Sequence, residues 1–533
     1  MSRAVEQRNG HPKAPPFPVE YRASGLLLHV TSLPSAYGIG DLGPEAFAWI
    51  DRLHDAGQRW WQALPVGPTG YGNSPYQPLS SFAGNALMIS PQSLIAEGFL
   101  DPRDCRDRLA PGAVDYASVI PYKERLLETA WSRFQRVGRG DSRSEYEEFC
   151  FEQASWLEDY ALFRALKARY GGAYYVAWPA ELVERHQSAL VEARRELRDD
   201  IDRVRFEQFL LCRQGEKLKE YAHSKGVRLI GDLPFFVSPD SSDVWANPGF
   251  FLLDERRLPK FVAGVPPDYF SAQGQLWGNP VYNWEALRRT GYRWCVDRFR
   301  ALSSHVDLIR LDHFRGFAAA WHIPSGARTA QTGSWQPGPG AEFFRKVEDQ
   351  LGGLPFIAED LGVITRDVET LRDQFQIPGT RVLQFAFDGH EDNPYLPQNF
   401  VNNTVVYTGT HDNPTSLEWF DELTKDRQET VSNKYFSPGN EPGPALIGLA
   451  WSSRAALAIA PLQDLLNLGR EARMNVPGLP GGNWRWRCTD EMLADEPFAW
   501  LRDLTANSKR LADAEIVMAG GNSGPGSAQQ RID

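Results

Sequence analysis

The chain has 533 residues, of which 42% are hydrophobic and 12% aromatic, enough for two or three average domains or for one large barrel with insertions. Its formal net charge of −11 argues against a nucleic-acid partner, because phosphate binding needs a basic surface. No uncharged apolar run is long enough to cross a membrane. The five cysteines are widely spaced, which favours a reduced, cytoplasmic compartment.

The first half of the chain predicts three strands and one long helical insertion. Short apolar runs with strand character occupy 25–30, 59–64 and 227–234. Between the second and third runs, a Gly- and Pro-rich loop is followed by apolar residues at helical spacing, most clearly at 154–170 and 182–211. We interpret this region as a helical insertion between two strands of one domain.

The second half of the chain alternates strands and helices. A stretch rich in Gly, Pro and aromatic residues at 238–283 is predicted to be a functional loop region, and a helix is predicted at 284–302. Five further strand patterns lie at 308–312, 356–358, 380–387, 404–408 and 457–461. Eight strands followed mostly by helical segments predict an α/β fold, a (β/α)8 TIM barrel with large helical and loop insertions between its strands.

These elements predict a single catalytic domain with a tail at each end. Residues 1–20 form a polar leader that we expect to be mobile, and the Gly-, Ser- and Gln-rich residues 512–533 have no core-forming pattern. The barrel is expected to span 21–511. Its insertions are predicted at about 66–210, 238–290 and 413–455.

Motifs of several other enzyme classes can be set aside. Residues 38–43 read G-x-G-x-x-G, but seven residues separate them from the preceding strand, whereas a dinucleotide site needs a tight turn at the strand end. The chain contains no H-E-x-x-H zinc motif, no G-x-S-x-G nucleophile elbow and no Walker loop. We therefore predict a reaction that needs neither a metal nor an organic cofactor.

Acidic residues follow four of the predicted strands, at Asp232, Asp312, Glu359 and Asp412. The C-terminal ends of barrel strands converge on the face that carries active sites, so we expect these acids to share one site. Paired carboxylates are what glycosidic cleavage requires. Arg310 lies two residues before Asp312, on the same face of a strand, and is predicted to keep that carboxylate ionised. Glu359 has no basic neighbour in sequence, which suits the raised pKa of a general acid.

Simpler interpretations stay open at this point. Arg310 and Asp312 could form an ion pair that only tightens a turn. The aromatic residues Tyr71, Tyr76 and Trp277 could be ordinary loop or core packing. The same acids would suit a hydrolase, of the α-amylase or α-glucosidase type, as well as a transferase. A chain that carries them could also bind glucans without catalysis.

Three motifs resemble the catalytic motifs of the 4-α-glucanotransferases, the amylomaltases or disproportionating enzymes of glycoside hydrolase family 77. They are Arg-Leu-Asp-His-Phe-Arg-Gly at 310–316, Ala-Glu-Asp-Leu-Gly at 358–362 and Gly-Thr-His-Asp-Asn at 409–413. The resemblance extends to Ser-Pro-Tyr-Gln at 74–77, Gly-Asp-Leu-Pro at 231–234 and Trp-Gly-Asn-Pro at 277–280. It covers most of the chain, from residue 25 to about 478.

The resemblance implies a retaining transferase acting on maltooligosaccharides and α-1,4-glucans. Asp312 would attack the sugar to form a covalent β-glucosyl-enzyme, Glu359 would act as acid and base, and Asp412 would grip sugar hydroxyls near the cleaved bond. The glucan segment would then pass to the 4-hydroxyl of another glucan or of glucose. Residues 264–275 would form a lid, with Tyr269 and Phe270 covering the donor chain.

The resemblance also implies a set of substrate-binding residues around these acids. Arg310 and His411 would assist at the transition state, and Tyr76 would be a platform under the sugar. Tyr71 would belong to a separate glucan-contact surface. The remaining candidates are Asp232, Ser74, Asp41, Gln275 and Trp277.

Overall fold

Twelve strands are present in the residues that the computed structural model describes, which are 16–511 without 19, 108, 138–140, 268–272, 438 and 480. Most of the leader and the whole C-terminal tail lie outside these described residues. The strands are β1 Ala23–Leu27, β2 Trp60–Gln62, β3 Arg228–Leu233, β4 Phe261–Val265, β5 Gln275–Pro280, β6 Leu308–Leu311, β7 Ala319–Pro324, β8 Ser334–Pro337, β9 Phe356–Ala358, β10 Gly379–Val382, β11 Thr404–Tyr407 and β12 Leu457–Pro461.

Eight of these strands close into a parallel barrel, in the order β1-β12-β11-β10-β9-β6-β3-β2. They are the eight strands predicted from the sequence, so the (β/α)8 fold is confirmed. β11 and β12 are buried along their whole length, as expected for parallel strands covered on both faces. The predicted strand at 380–387 is too long: β10 ends at Val382, and a 3-10 turn over Leu383–Phe385 follows it.

Helices surround the barrel and fill the first insertion. None of those in the described part of the chain combines the length and apolarity that a membrane crossing needs. They are α1 Pro44–Asp55, α2 Pro91–Ala96, α3 Tyr116–Val137, α4 Asp141–Glu152, α5 Ala154–Arg169, α6 Ala180–Val183, α7 Gln187–Glu196, α8 Arg198–Ser224, α9 Ser242–Ala246, α10 Trp284–Arg289, α11 Arg293–Ser303, α12 Gly340–Leu351, α13 Arg366–Gln374, α14 Ser416–Glu422, α15 Lys425–Tyr435, α16 Pro442–Ser452, α17 Leu462–Leu465 and α18 Asp495–Asn507.

Two regions predicted from periodicity are interrupted by left-handed residues. The pattern at 182–211 is divided among α6, α7 and α8, with Arg185 at φ 61° between the first two. The predicted helix at 284–302 is two helices, because Gly291 and Tyr292 have φ values of 65° and 58° and end the first one. Neither interruption alters the apolar spacing enough to be visible in the sequence.

A second, antiparallel sheet lies beside the barrel, in the order β5-β4-β7-β8. The prediction of irregular structure throughout 238–283 is therefore wrong in part, since that stretch contains α9, β4 and β5. Gly264 makes the β4–β5 pairing possible, because a Cβ at this position would lie 2.1 Å from the carbonyl oxygen of Gln275. The proposed lid residues Tyr269 and Phe270 lie outside the described residues.

The end of the predicted leader belongs to the barrel core. Phe17 is only 3% exposed and stacks on Tyr21, with ring centroids 5.1 Å apart. Its edge also meets Trp60 of β2, whose indole N–H donates to the Tyr21 hydroxyl at 2.7 Å. Burying three aromatic rings closes this part of the barrel and fixes where β1 begins.

Candidate active site

The four predicted acids lie at the C-terminal ends of barrel strands. Asp232 belongs to β3, Asp312 and Glu359 directly follow β6 and β9, and Asp412 lies in the loop after β11. In the barrel, β6 is hydrogen-bonded to β3 on one side and to β9 on the other. The structure therefore brings three of the acids onto neighbouring strands, as the barrel prediction required.

Arg310 is the cation shared by two of these acids. Its Nη1 donates to both carboxylate oxygens of Asp232, at 2.9 and 2.8 Å, and to Oδ1 of Asp312 at 3.2 Å. The side chains of Arg310 and Asp232 are 6% and 0% exposed, whereas that of Asp312 is 28% exposed. Arg310 and Asp312 thus share a face, as predicted, but the guanidinium is bound more closely to Asp232.

This sharing changes the electrostatics expected from the sequence. Burial raises the pKa of Asp312 well above its ordinary value, Arg310 opposes this, and the other acids add to it. Arg310 lowers the pKa of Asp312, in the direction predicted from the sequence, but burial acts in the opposite direction and has the larger effect. Burial also raises the pKa of Glu359, as predicted. The two carboxylates interact and titrate as a pair that competes for protons.

Backbone amides hold the carboxylate of Glu359 in place. The N–H of His313 donates to Oε2 at 2.7 Å, and the N–H of Leu361 donates to Oε1 at 3.2 Å. His313 itself has φ 50° and ψ 50°, a left-handed conformation that a non-glycine residue adopts at a cost. The turn after Asp312 therefore places a hydrogen-bond donor on the neighbouring acid.

Tyr76 joins the site from the loop after β2. Its hydroxyl donates to Oδ2 of Asp232 at 2.7 Å, and its ring stacks on His411 with centroids 4.8 Å apart and an angle of 13°. Burial lowers the pKa of His411, which favours the neutral imidazole. Trp484 lies 5.8 Å from both rings. Tyr76, His411 and Trp484 thus form one aromatic wall beside Asp232 and Asp412.

Asp412 is the most exposed of the four acids. Its side chain is 50% exposed and contacts Nε2 of His411 at 3.3 Å. Its Oδ1 accepts a hydrogen bond from Nδ2 of Asn475 at 2.6 Å. Sequence reasoning missed both Asn475 and Trp484, because they lie in an irregular stretch beyond the last strand and match no pattern that predicts chemistry.

Gln275 and Trp277 lie on β5 of the antiparallel sheet. The indole N–H of Trp277 donates to Oε1 of Gln275 at 3.1 Å. Its ring meets His313 edge to face at 4.8 Å and also contacts Phe236. The structure therefore brings Trp277 next to the residue that follows the predicted nucleophile.

The remaining candidates have different surroundings. Ser74 accepts a hydrogen bond from the Tyr76 amide at 3.2 Å, and Tyr71 is 80% exposed, free to meet a ligand. Asp41 is not brought to the acids. It is 3% exposed, lies 3.3 Å from Nζ of Lys123 and accepts from the amide of Gly43, which are the contacts of a structural ion pair.

The model of the 4-alpha-glucanotransferase family matches residues 28–493. The chain belongs to this family. The 4-alpha-glucanotransferase of Synechocystis sp. is 49% identical over 484 residues, which cover 90% of this chain and 96% of that protein. The 4-alpha-glucanotransferase of Thermus thermophilus is 45% identical and is covered over 99% of its length, with 92% of this chain matched. The activity predicted from the motifs, transfer of α-1,4-glucan segments, is that of this family.

Solved structures agree with this membership. An amylomaltase from Streptococcus agalactiae, determined in complex with acarbose, superposes with a TM-score of 0.89 at 37% identity, over 92% of this chain and 99% of that one. An amylomaltase from Corynebacterium glutamicum shares the fold with a TM-score of 0.74 at 19% identity, over 93% of this chain and 77% of that one.

Proposed function

We propose that Asp312, Glu359 and Asp412 perform the family's transfer reaction at the C-terminal face of the barrel. The observation that carries this assignment is the position of Asp312 and Glu359 on neighbouring strands, one beside Arg310 and the other held by two backbone amides. Two fixed carboxylates on either side of a sugar can supply a nucleophile and a proton donor. Asp412, half-exposed at the mouth, remains available to sugar hydroxyls.

In the first step, a carboxylate oxygen of Asp312 attacks the anomeric carbon as the glycosidic bond breaks. Glu359 gives its proton to the leaving oxygen, so the released glucan departs as an alcohol and the donor segment stays as an ester on Asp312. The raised pKa of Glu359 suits this role. Asp312 must be ionised before it attacks, and Arg310, which lowers its pKa, favours that form against the effect of burial.

In the second step, the 4-hydroxyl of an acceptor glucan attacks the same carbon. The acceptor proton passes to Glu359, the ester bond breaks, and Asp312 is released as a carboxylate. We propose that Arg310 and Tyr76 keep Asp232 oriented during both steps, since their contacts with it measure 2.7 to 2.9 Å.

Transfer rather than hydrolysis requires that the acceptor be held while water is poorly placed. We propose that Trp277 and His313 form a surface for the acceptor, because Trp277 packs edge to face on His313, the residue that follows Asp312. Burial lowers the pKa of His313 to about 3, so its imidazole is neutral at the working pH and adds no charge to this surface.

We propose that the substrates are maltooligosaccharides and longer α-1,4-glucans, and that neither a metal nor an organic cofactor takes part. Among the described residues, no group of three or more ligating side chains could hold a metal ion. We also propose a reducing, cytoplasmic setting, since all five cysteines have free thiols.

Incubation with maltotriose tests this proposal. Transfer conserves the number of glycosidic bonds, so glucose and a ladder of longer glucans should appear while total reducing ends stay nearly constant. The same products should form after exhaustive chelation. Reducing ends that rise in step with substrate loss would instead show a hydrolase, and tight maltodextrin binding without turnover would show a binding protein.

A further inference from the structure

The carboxylate of Asp412 accepts a hydrogen bond from the side-chain amide of a residue that lies beyond the last barrel strand. The Nδ2 group of Asn475 donates to Oδ1 of Asp412 at 2.6 Å. Asp412 is half-exposed, whereas Asp232 is fully buried beneath Arg310. An exposed carboxylate on a loop has several rotamers available, so its orientation depends on the few partners that it has.

Asn475 belongs to a compact loop whose two ends are joined. The loop spans 474–484, of which 480 lies outside the described residues, and the amide of Trp484 donates to the carbonyl of Met474 at 2.8 Å. Inside it, Asn483 accepts from the amide of Val476 at 3.0 Å and donates back to its carbonyl at 3.3 Å. Trp484 in turn borders Tyr76 and His411. We call this segment the 474–484 loop; its closed ends give it the form of an Ω-loop.

Arg473 fastens the 474–484 loop to the segment that carries Asp412. Its Nε donates to the carbonyl of Asn475 at 3.0 Å, and its Nη2 donates to the carbonyl of Asp412 at 3.2 Å. Its Nη1 lies 3.4 Å from Oε1 of Glu418, which is 5% exposed. Both backbones are therefore tied to one guanidinium, which fixes the distance over which the Asn475 amide reaches the acid.

We propose that Asn475 is a positioning residue that orients Asp412 toward the sugar, an inference that rests on the role proposed for Asp412 above. The amide N–H of Asn475 and the ring of His411 both contact Oδ1 of Asp412. An ionised carboxylate accepts hydrogen bonds at both of its oxygens. Oδ2 is then left for the substrate hydroxyls. Asp412 can contact the sugar at the transition state only if this orientation is kept.

Two variants of Asn475 test the proposal, with maltotriose turnover measured against pH. Asn475→Ala removes the donor, and we expect kcat to fall by about 10- to 100-fold with KM within about threefold, as misorientation of a catalytic group does. Asn475→Asp keeps the shape of the side chain but places a second carboxylate against Asp412. The two acids would share a proton, so the acidic limb of the kcat/KM profile should move to higher pH.

Asn483→Ala is the matched control, because it removes two contacts with the backbone of Val476 while Arg473 still ties Asn475 to the segment of Asp412. We expect its kcat to stay within about threefold of the wild type. If Asn475→Ala keeps its kcat, changes only KM, or is matched by Asn483→Ala, the positioning role is overturned. An unshifted pH profile for Asn475→Asp would overturn the positioning role as well. This measurement can be made on a fully folded variant. Asp412→Asn separates the two proposals: if it stays active, the proposed role of Asp412 fails first.

Discussion

Asp232 and Arg310 are register partners on the neighbouring strands β3 and β6, and one guanidinium nitrogen lies within 2.9 Å of both oxygens of the carboxylate. The same nitrogen also contacts Asp312. Two acids from adjacent strands therefore compete for one buried cation. Burial is the main reason why the pKa of Asp312 is raised although an arginine lies beside it, and the charge of Asp232 adds to the effect.

The buried pair predicts a large loss of stability when its cation is removed. Arg310→Met should lower the free energy of unfolding by about 3 to 5 kcal/mol, because Asp232 is left buried without its cation and keeps only the hydrogen bond from the Tyr76 hydroxyl. Asp232→Asn in the same background should restore part of the loss. Denaturant unfolding of the single and double variants measures both effects. The exposed pair of Arg52 and Asp495 is the control, and Arg52→Met should cost less than about 1 kcal/mol. Equal losses for the two arginines would contradict the account.

The proposed roles of Asp312 and Glu359 can be separated with two donors. Asp312→Asn should lose activity by at least about 10³-fold with both maltotriose and a maltosyl fluoride, since an amide cannot form the ester. Glu359→Gln should fail on maltotriose but still release about one equivalent of fluoride per enzyme, because fluoride leaves with little help from an acid whereas the second step still needs Glu359 to accept a proton. Product analysis and fluoride release give the readout. The Asp312→Asn protein should melt at or above the wild-type temperature, because a buried acid with a raised pKa is replaced by a neutral group. A variant Asp312→Asn that consumes the fluoride would exclude the nucleophile role.

The two contacts of Tyr76 predict different costs for its two simplest variants. Tyr76→Phe loses the hydrogen bond to Asp232 but keeps the ring on His411, so kcat/KM should fall by about 10-fold. Tyr76→Ala removes the ring platform as well, so its kcat/KM should fall by about 10²- to 10³-fold. Steady-state kinetics with maltotriose compare them. Tyr71→Ala, at an exposed position in the same loop, should change kcat for this short substrate by less than threefold. Identical losses for the two Tyr76 variants would show that the ring contributes nothing.

His305, a partly exposed histidine outside the barrel strands, predicts part of the acid sensitivity of the fold. Burial lowers the pKa of His305 to about 4, whereas the unfolded chain has the ordinary value of 6.5. Between these values the unfolded state binds more protons, so this contribution to stability is present near neutral pH and is lost as the pH falls. From pH 7 to pH 5 it amounts to about 2 kcal/mol. His305→Gln should flatten the decline of unfolding free energy by that amount, measured with denaturant at both pH values. His390→Gln, at an exposed site, should leave the decline of unfolding free energy unchanged. If the free energy of His305→Gln falls with pH as steeply as that of the wild type, His305 is not the source of this pH dependence.

The sequence by itself determined the barrel and the three motif acids. Eight apolar runs alternate with helical segments, and an acid that follows a parallel strand lies on the active-site face whatever the rest of the chain does. Strand character and strand ends are local properties, which is why 356–358 and 457–461 were located to the residue. The tertiary structure decided what depends on contacts between distant segments. The register of β3 against β6 pairs Arg310 with Asp232. The 474–484 loop brings Asn475 to Asp412, and β4 pairs with β7. Each of these contacts joins residues far apart in sequence, where neither spacing nor propensity carries information.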